Sequence, residues 1–253
     1  RDIQDVAAMA GLDANARAKV RGAELIADAF IGTVIETPGS RDQESRLAGL
    51  GDVADRAVTS EAARDELART ARRGLSWGTL NGVCSTFHWP LEYPEVFARS
   101  NRGFDAFLGN PPFLGNRLWK GTHGPVLSRV VELVLGQKPG KVDLSVAFHR
   151  QATDLLRAGG TYGLLATNNI AEGSALAVGL QAIAEKGTFF WTRKGMPWPG
   201  TAATVIAIVC FYKGAWTGAS EYDGQPCDRI GPRLQPELAG GWEPQPVDGG
   251  LYA

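Results

Sequence analysis

The sequence predicts a doubly wound α/β sheet, preceded by a helical segment and closed by an antiparallel pair of strands. Three observations lead there. Short apolar runs from Gly103 to Gly109, Tyr162 to Thr167, Thr188 to Arg193 and Thr201 to Tyr212 are separated, until the last two, by stretches with helical spacing. The Tyr162–Thr167 run is continuously apolar, as expected of a strand covered on both faces. The order strand, helix, strand, helix, strand, strand is that of an open α/β sheet ending in a hairpin.

Taken in chain order, Val20, Ala23, Ile26, Ala27, Phe30 and Ile31 form one apolar face and predict a core-facing helix over Asp13–Ile31. Residues Thr37 to Asp52, rich in Gly, Ser and charge, read as a break in that pattern. Ser60 before Glu61 is an N-cap, opening a helix to about Arg73. Gly49-Leu50-Gly51 is no nucleotide turn, because no hydrophobic strand precedes it and a third glycine is missing. From Trp77 the character shifts to strands, loops and aromatics. An apolar helical stretch runs from Val126 to Leu135. Lys141 to Leu156 reads as an amphipathic helix with Leu144, Phe148, Ala152, Leu155 and Leu156 inward, stopped by Gly159-Gly160. Gly173 to Lys186 is the next helix. From Gly214 the chain is rich in Gly and Pro and is expected to be a linker. The resulting organisation is a helical segment, 1–76, a core, 77–215, and a linker, 216–253, leading towards a further domain.

A chain of 253 residues, 44% hydrophobic and 21% charged, has the composition of a globular protein with a sizeable core. No apolar run approaches the roughly 20 residues that span a bilayer, and the charged, Ala-rich start is unlike a signal peptide. A cytoplasmic protein without a membrane partner is expected. Cys84, Cys210 and Cys227 have neither metal-ligand spacing nor the density of a disulfide scaffold, and His88, His123 and His149 are scattered, so no metal site is expected. With a net charge of −1 the chain is no polycation, and any nucleic-acid surface must be local.

The candidate chemistry lies in Asn110-Pro111-Pro112-Phe113, directly after Gly109 at the carboxyl end of a strand, where open α/β sheets form their ligand crevices. An exocyclic amino group is a poor nucleophile because its lone pair is delocalised into the ring. Hydrogen-bond acceptors for both of its N–H groups favour the tetrahedral nitrogen that can attack a methyl group. The Asn110 side-chain carbonyl and the Pro111 backbone carbonyl, held in a rigid turn, are two such acceptors. Phe113 can stack on a base flipped out of its helix. Asn-Pro alone is commonly an ordinary turn; the full pentad at a strand end points to chemistry.

Phe104 to Phe113 resembles the catalytic motif of class I S-adenosylmethionine-dependent amino methyltransferases. The segment Phe87-His88-Trp89-Pro90-Leu91-Glu92-Tyr93-Pro94-Glu95-Val96-Phe97 resembles the one that precedes this motif in large type IIG restriction-modification methylases and their phage-defence relatives. Asp143-Leu144 with Phe148, Gly159-Gly160, Gly163 to Asn168, and Trp198-Pro199-Gly200-Thr201-Ala202-Ala203 fit the same family, so the resemblance covers about Trp77 to Trp216.

The resemblance implies a Rossmann-like class I methyltransferase sheet that transfers a methyl group from S-adenosylmethionine to N6 of a flipped adenine in double-stranded DNA, within a restriction-modification or phage-defence system, with a restriction or defence subunit as a further partner. Asn110, Pro111, Pro112 and Phe113 would hold the base. Gly109, Leu144 and Phe148 would border the cofactor; Leu144 and Phe148 are equally what a helix core uses. Asn168 and Trp198 would touch substrate, with helix capping and hairpin anchoring as the plainer roles. Pro226-Cys227 resembles the nucleophile dipeptide of C5-cytosine methyltransferases but lies in a polar stretch after the sheet. N4 of cytosine stays open as a target, as do a protein glutamine, an RNA base and a non-catalytic defence module. The family's Asp-x-x-x-Gly-x-Gly-like cofactor turn and the acidic residue for the ribose are not found. The chain is therefore expected to be a fragment lacking the first strands, inactive alone and a poor binder of the cofactor.

Overall fold

The computed structural model describes residues 3–37, 39, 41–76, 86–199 and 204–237. Trp77, Cys84, Gly200 to Ala203 and the stretch from 238 onward lie outside the described residues, as does the side chain of His123. The chain divides into two compact units, residues 1–100 with 117–130, and residues 101–116 with 131–253.

The first unit is helical. Helix α1 (Ile3–Glu36), α2 (Arg41–Ala57) and α3 (Glu61–Leu75) enclose a core of Ala29, Leu50, Val53, Ala57, Ala63, Leu67, Ala71 and Leu75. Ser60 caps α3, its Oγ accepting from the Ala63 N–H at 3.4 Å. Ile26 and Ile31 of the expected face of α1 pack against this core with Leu25 and Ile35, but Phe30 is 47% exposed, and the buried positions are Ala29, Gly32 and Thr33. The reason is backbone contact, since a Cβ on Gly74 would lie 2.0 Å from the Gly32 carbonyl oxygen. Only small residues permit α1 and α3 to approach so closely. Helix α2 replaces the expected break; its Leu50, Val53 and Ala57 recur at i, i+3 and i+7 and bury one narrow stripe. Two single turns, α4 (Trp89–Glu92) and α5 (Pro94–Phe97), each have Pro in the first turn, where the missing N–H costs nothing. Around them Phe87, Trp89 and Tyr93 pack ring to ring, and His88 Nε2 sits 2.8 Å from the Asp28 carboxylate.

Helix α6 (Asn116–Leu135) breaks at Gly124, where φ is 68, so that Pro125 starts its second part; Gly136, φ 72, caps its end. The second unit is a six-stranded sheet in the order β1-β2-β4-β3-β5-β6. The strands are β1 (Phe104–Gly109), β2 (Leu156–Thr167), β3 (Thr188–Pro197), β4 (Val205–Tyr212), β5 (Ser220–Tyr222) and β6 (Gln225–Cys227). β1 runs parallel to β2, and β4 lies antiparallel between β2 and β3, as the hairpin predicts. β5 and β6 extend the edge beside β3 within the stretch expected to be a linker: Asp223 and Gly224, with φ 49 and 81, make the tight turn between them, and Trp191 Nε1 donates to the Glu221 carboxylate at 2.9 Å.

Helix α7 (Ser145–Leu155) ends one turn before the Gly159-Gly160 pair, and β2 begins at once. The glycines instead form an irregular start to the strand, with the Gly159 N–H bonded to the Lys213 carbonyl and the Lys213 N–H to the Gly160 carbonyl, both at 2.9 Å. The helix end is satisfied by Lys213, whose Nζ donates to the carbonyls of Leu156 at 2.6 Å and Asp154 at 3.2 Å. The next connection consists of a 3-10 turn (Asn168–Ala171), α8 (Gly173–Ala175), a wider π-helical turn (Leu176–Leu180) and α9 (Gln181–Ala184).

Across one face of the sheet Tyr162, Phe211 and Phe189 stand in register on β2, β4 and β3, with centroids 5.2 and 5.5 Å apart. His149 of α7 abuts this row edge-on, 5.3 Å from Tyr162.

Candidate active site at the carboxyl end of the sheet

β1 delivers Asn110 to the rim of the sheet. Asn110 and Pro112 are exposed, Pro111 is buried and Phe113 is half-buried, so the turn is anchored through its first proline while the Asn110 side chain faces outward. The chain after the turn is pinned by the Leu144 N–H, which donates to the Leu114 carbonyl at 2.9 Å, and Asp143 Oδ1 accepts from the Ser145 N–H at 2.9 Å. Thus the start of α7 holds the far end of the Asn-Pro-Pro-Phe turn. Gly109 is exposed; a Cβ there would meet only Leu164 Cδ2, at 3.7 Å.

The structure brings Phe113 and Trp198 together. Their centroids are 6.4 Å apart with planes at 89°, an edge-to-face pair. Trp198 lies just beyond β3, and its N–H closes the hairpin on the Thr204 carbonyl at 2.8 Å. Asn168, the first residue beyond β2, reaches instead towards β3, where its Oδ1 accepts from the Gly195 N–H at 3.1 Å. Neither sequence-level reading of Asn168 anticipates this bond.

The two α7 residues separate. Leu144 is 7% exposed and belongs to the core, whereas Phe148, expected inward, is 45% exposed. The helix turns Val146, His149, Ala152 and Thr153 towards the sheet, which places Phe148 on the outer side. Periodicity misled here because three of the buried positions, Ser145, His149 and Thr153, are polar. His149 is fully enclosed; its Nε2 lies 3.4 Å from the Leu165 carbonyl, an acceptor, so that nitrogen carries the proton, and Nδ1 accepts from the Tyr162 hydroxyl at 3.3 Å. Burial pulls its pKa from the usual 6.5 down to about 4, keeping it neutral, and pushes the Tyr162 phenol up. The Cys210 thiol, desolvated on β4, is raised to about 11 and is unreactive as a thiolate. Asp105 and Arg157 pair at 2.6 Å across the opposite, amino ends of β1 and β2.

Sequence reasoning missed Gly195. An isolated glycine inside a strand pattern is the sign of a bulge, and here it was available.

Residues 63–186 match the Eco57I restriction-modification methylase family. The matched segment is of restriction-modification methylase type. It includes the Phe87–Phe97 segment, the Asn110–Phe113 turn, α7 and β2. Among solved structures, the chain is similar to the type IIL restriction-modification enzyme MmeI in complex with DNA, with 20% identity and a TM-score of 0.44 over 53% of this chain and 20% of that one. It is also similar to the type I restriction enzyme EcoKI M protein, with 11% identity and a TM-score of 0.34 over 75% of this chain and 43% of that one. The chain thus spans less than half the length of either protein. None of the curated proteins matches it. Among the described residues no helix is long and apolar enough to cross a membrane.

Proposed function

We propose that this methylase chain takes part in transferring a methyl group from S-adenosylmethionine to the exocyclic N6 of an adenine flipped out of double-stranded DNA. The observation that carries the reading is the exposed Asn110 at the carboxyl end of β1, beside a buried Pro111 and a Phe113 ring set edge-on to Trp198.

The Asn110 side-chain carbonyl accepts a hydrogen bond from one N6–H and the Pro111 carbonyl from the other. Together they withdraw the nitrogen lone pair from the ring and aim it outward. Phe113 supports the base by stacking, and Trp198 braces Phe113 from the side. When bound, the cofactor supplies the electrophilic methyl group. Phe148, exposed one turn into α7, and Gly109, exposed at the rim, are the residues that would border its adenine end. The buried Leu144 supports that border through its backbone bond to Leu114.

The test is expression of the full open reading frame, with and without Asn110→Ala, in a methylation-free host, followed by single-molecule sequencing of the host genome. N6-methyladenine at one recurrent sequence, lost in the variant, is the expected result. N4-methylcytosine would change the target base, and an unmodified genome from soluble, folded protein would remove DNA as the substrate.

A further inference from the structure

Gly195 stands in β3 between Lys194 and Met196 with φ +69, a left-handed conformation that favours glycine. At the same place the pairing of β3 with β4 shifts: Arg193 faces Ile208, and the next paired residue is Met196, against Ile206. Such a bulge turns one N–H out of the ladder and re-aims the strand beyond it. Side chains take up two N–H groups here: that of Gly195 donates to the Asn168 side-chain carbonyl at 3.1 Å, and that of Lys194 to Asp223 Oδ1 at 2.9 Å. Asn168 directly follows β2, which is separated from β3 by β4, so its side chain reaches past the first residues of β4 to Gly195. Three residues after the bulge the chain places Trp198 against Phe113.

We infer that Asn168 is a positioning residue: by holding the Gly195 bulge it fixes the register of Met196 to Trp198 and so sets the Trp198 ring opposite Phe113. The inference rests on the proposed function for the use made of those two rings. A bulge has no side chain of its own to fix it in place. Without the bulge, every side chain between Gly195 and the hairpin would turn to the other face of the sheet, Trp198 included. An acceptor anchored at the end of β2 pins the bulge at Gly195. The oxygen of Asn168 is thereby committed within the protein, so any contribution to the reaction passes through Trp198 and Phe113.

Two substitutions separate this from direct contact with substrate. Asn168→Asp keeps an acceptor oxygen and removes the amide donors; Asn168→Ala removes both. In the chain itself, hydrogen exchange at Gly195 is expected to quicken roughly three- to tenfold in Asn168→Ala and to stay near wild type in Asn168→Asp, the range given by one lost hydrogen bond. In the full-length protein, methyl transfer is expected to lose about tenfold or more in kcat with Ala, as for a ring displaced by an ångström or so, and to be largely retained with Asp. Unchanged exchange in Asn168→Ala would overturn the inference, and so would equal loss of turnover in both variants, which would mean that the amide donors touch substrate. A wild-type protein without methyl transfer would instead refute the proposed function, while the exchange result reports on the bulge alone.

Discussion

Acidification should weaken the sheet unit through one residue, His149. Its imidazole is wholly enclosed between α7 and β2, donating to the Leu165 carbonyl and accepting from Tyr162, and burial lowers its pKa from 6.5 to about 4. The folded state therefore refuses a proton that the unfolded chain accepts. Stability from this source is intact above pH 6.5 and is lost as the pH falls towards 4. At pH 5 the unfolded imidazole is nearly all protonated and the folded one nearly all neutral, which favours unfolding by about 2 kcal/mol relative to pH 7.5. Replacement by Phe preserves an edge-on ring against Tyr162 and removes the titration, at a pH-independent cost of about 1–3 kcal/mol for the two lost hydrogen bonds. Urea unfolding of wild type and His149→Phe at pH 7.5 and pH 5 is the assay. The gap between them should close by about 2 kcal/mol at the lower pH. Parallel pH dependences would show that His149 is solvated or charged in the folded state, and the reasoning would fail.

Two further substitutions test the packing. Gly74→Ala would set a methyl group 2.0 Å from the Gly32 carbonyl oxygen and force α1 and α3 apart, costing about 3 kcal/mol in thermal or urea unfolding; Gly49→Ala on α2, where nothing lies within 4 Å, should be neutral or stabilising by up to about 1 kcal/mol. Lys213→Met keeps the side-chain stem but removes the donors that satisfy the Leu156 and Asp154 carbonyls. A loss of about 1–2 kcal/mol in urea unfolding is expected, and Lys213→Arg should recover part of it.

Much of the sheet was legible because its strands are apolar, β-branched and bounded by glycine, and Asn110 to Phe113 announced a strand end by position alone. The helices were harder. Phe30 and Phe148 look like core residues in a pattern count, yet both face outward, because Ala29, Gly32 and Thr33 allow backbone contact in one case and a hydrogen-bonded His149 fills the core in the other. α2 was hidden by Gly49 and Gly51, which weaken local propensity while Leu50, Val53 and Ala57 still pack. β5 and β6 were hidden in a Gly- and Pro-rich stretch whose hydrogen bonds depend on an edge strand that sequence cannot locate. At the rim, the meeting of Phe113 with Trp198 and of Asn168 with Gly195 depends on long-range pairing, which no local spacing encodes.

The position of β4 has a consequence for the order of events during synthesis. It lies between β2 and β3, yet it emerges from the ribosome after both. Until Val205 to Tyr212 are available, β2 and β3 have no common neighbour and the aromatic row lacks its middle ring, Phe211. A nascent chain stalled before that point carries Asn110, Phe113, Asn168 and Trp198 in full but has no rim on which to assemble them. Such a chain holds the motif without the sheet rim that presents it.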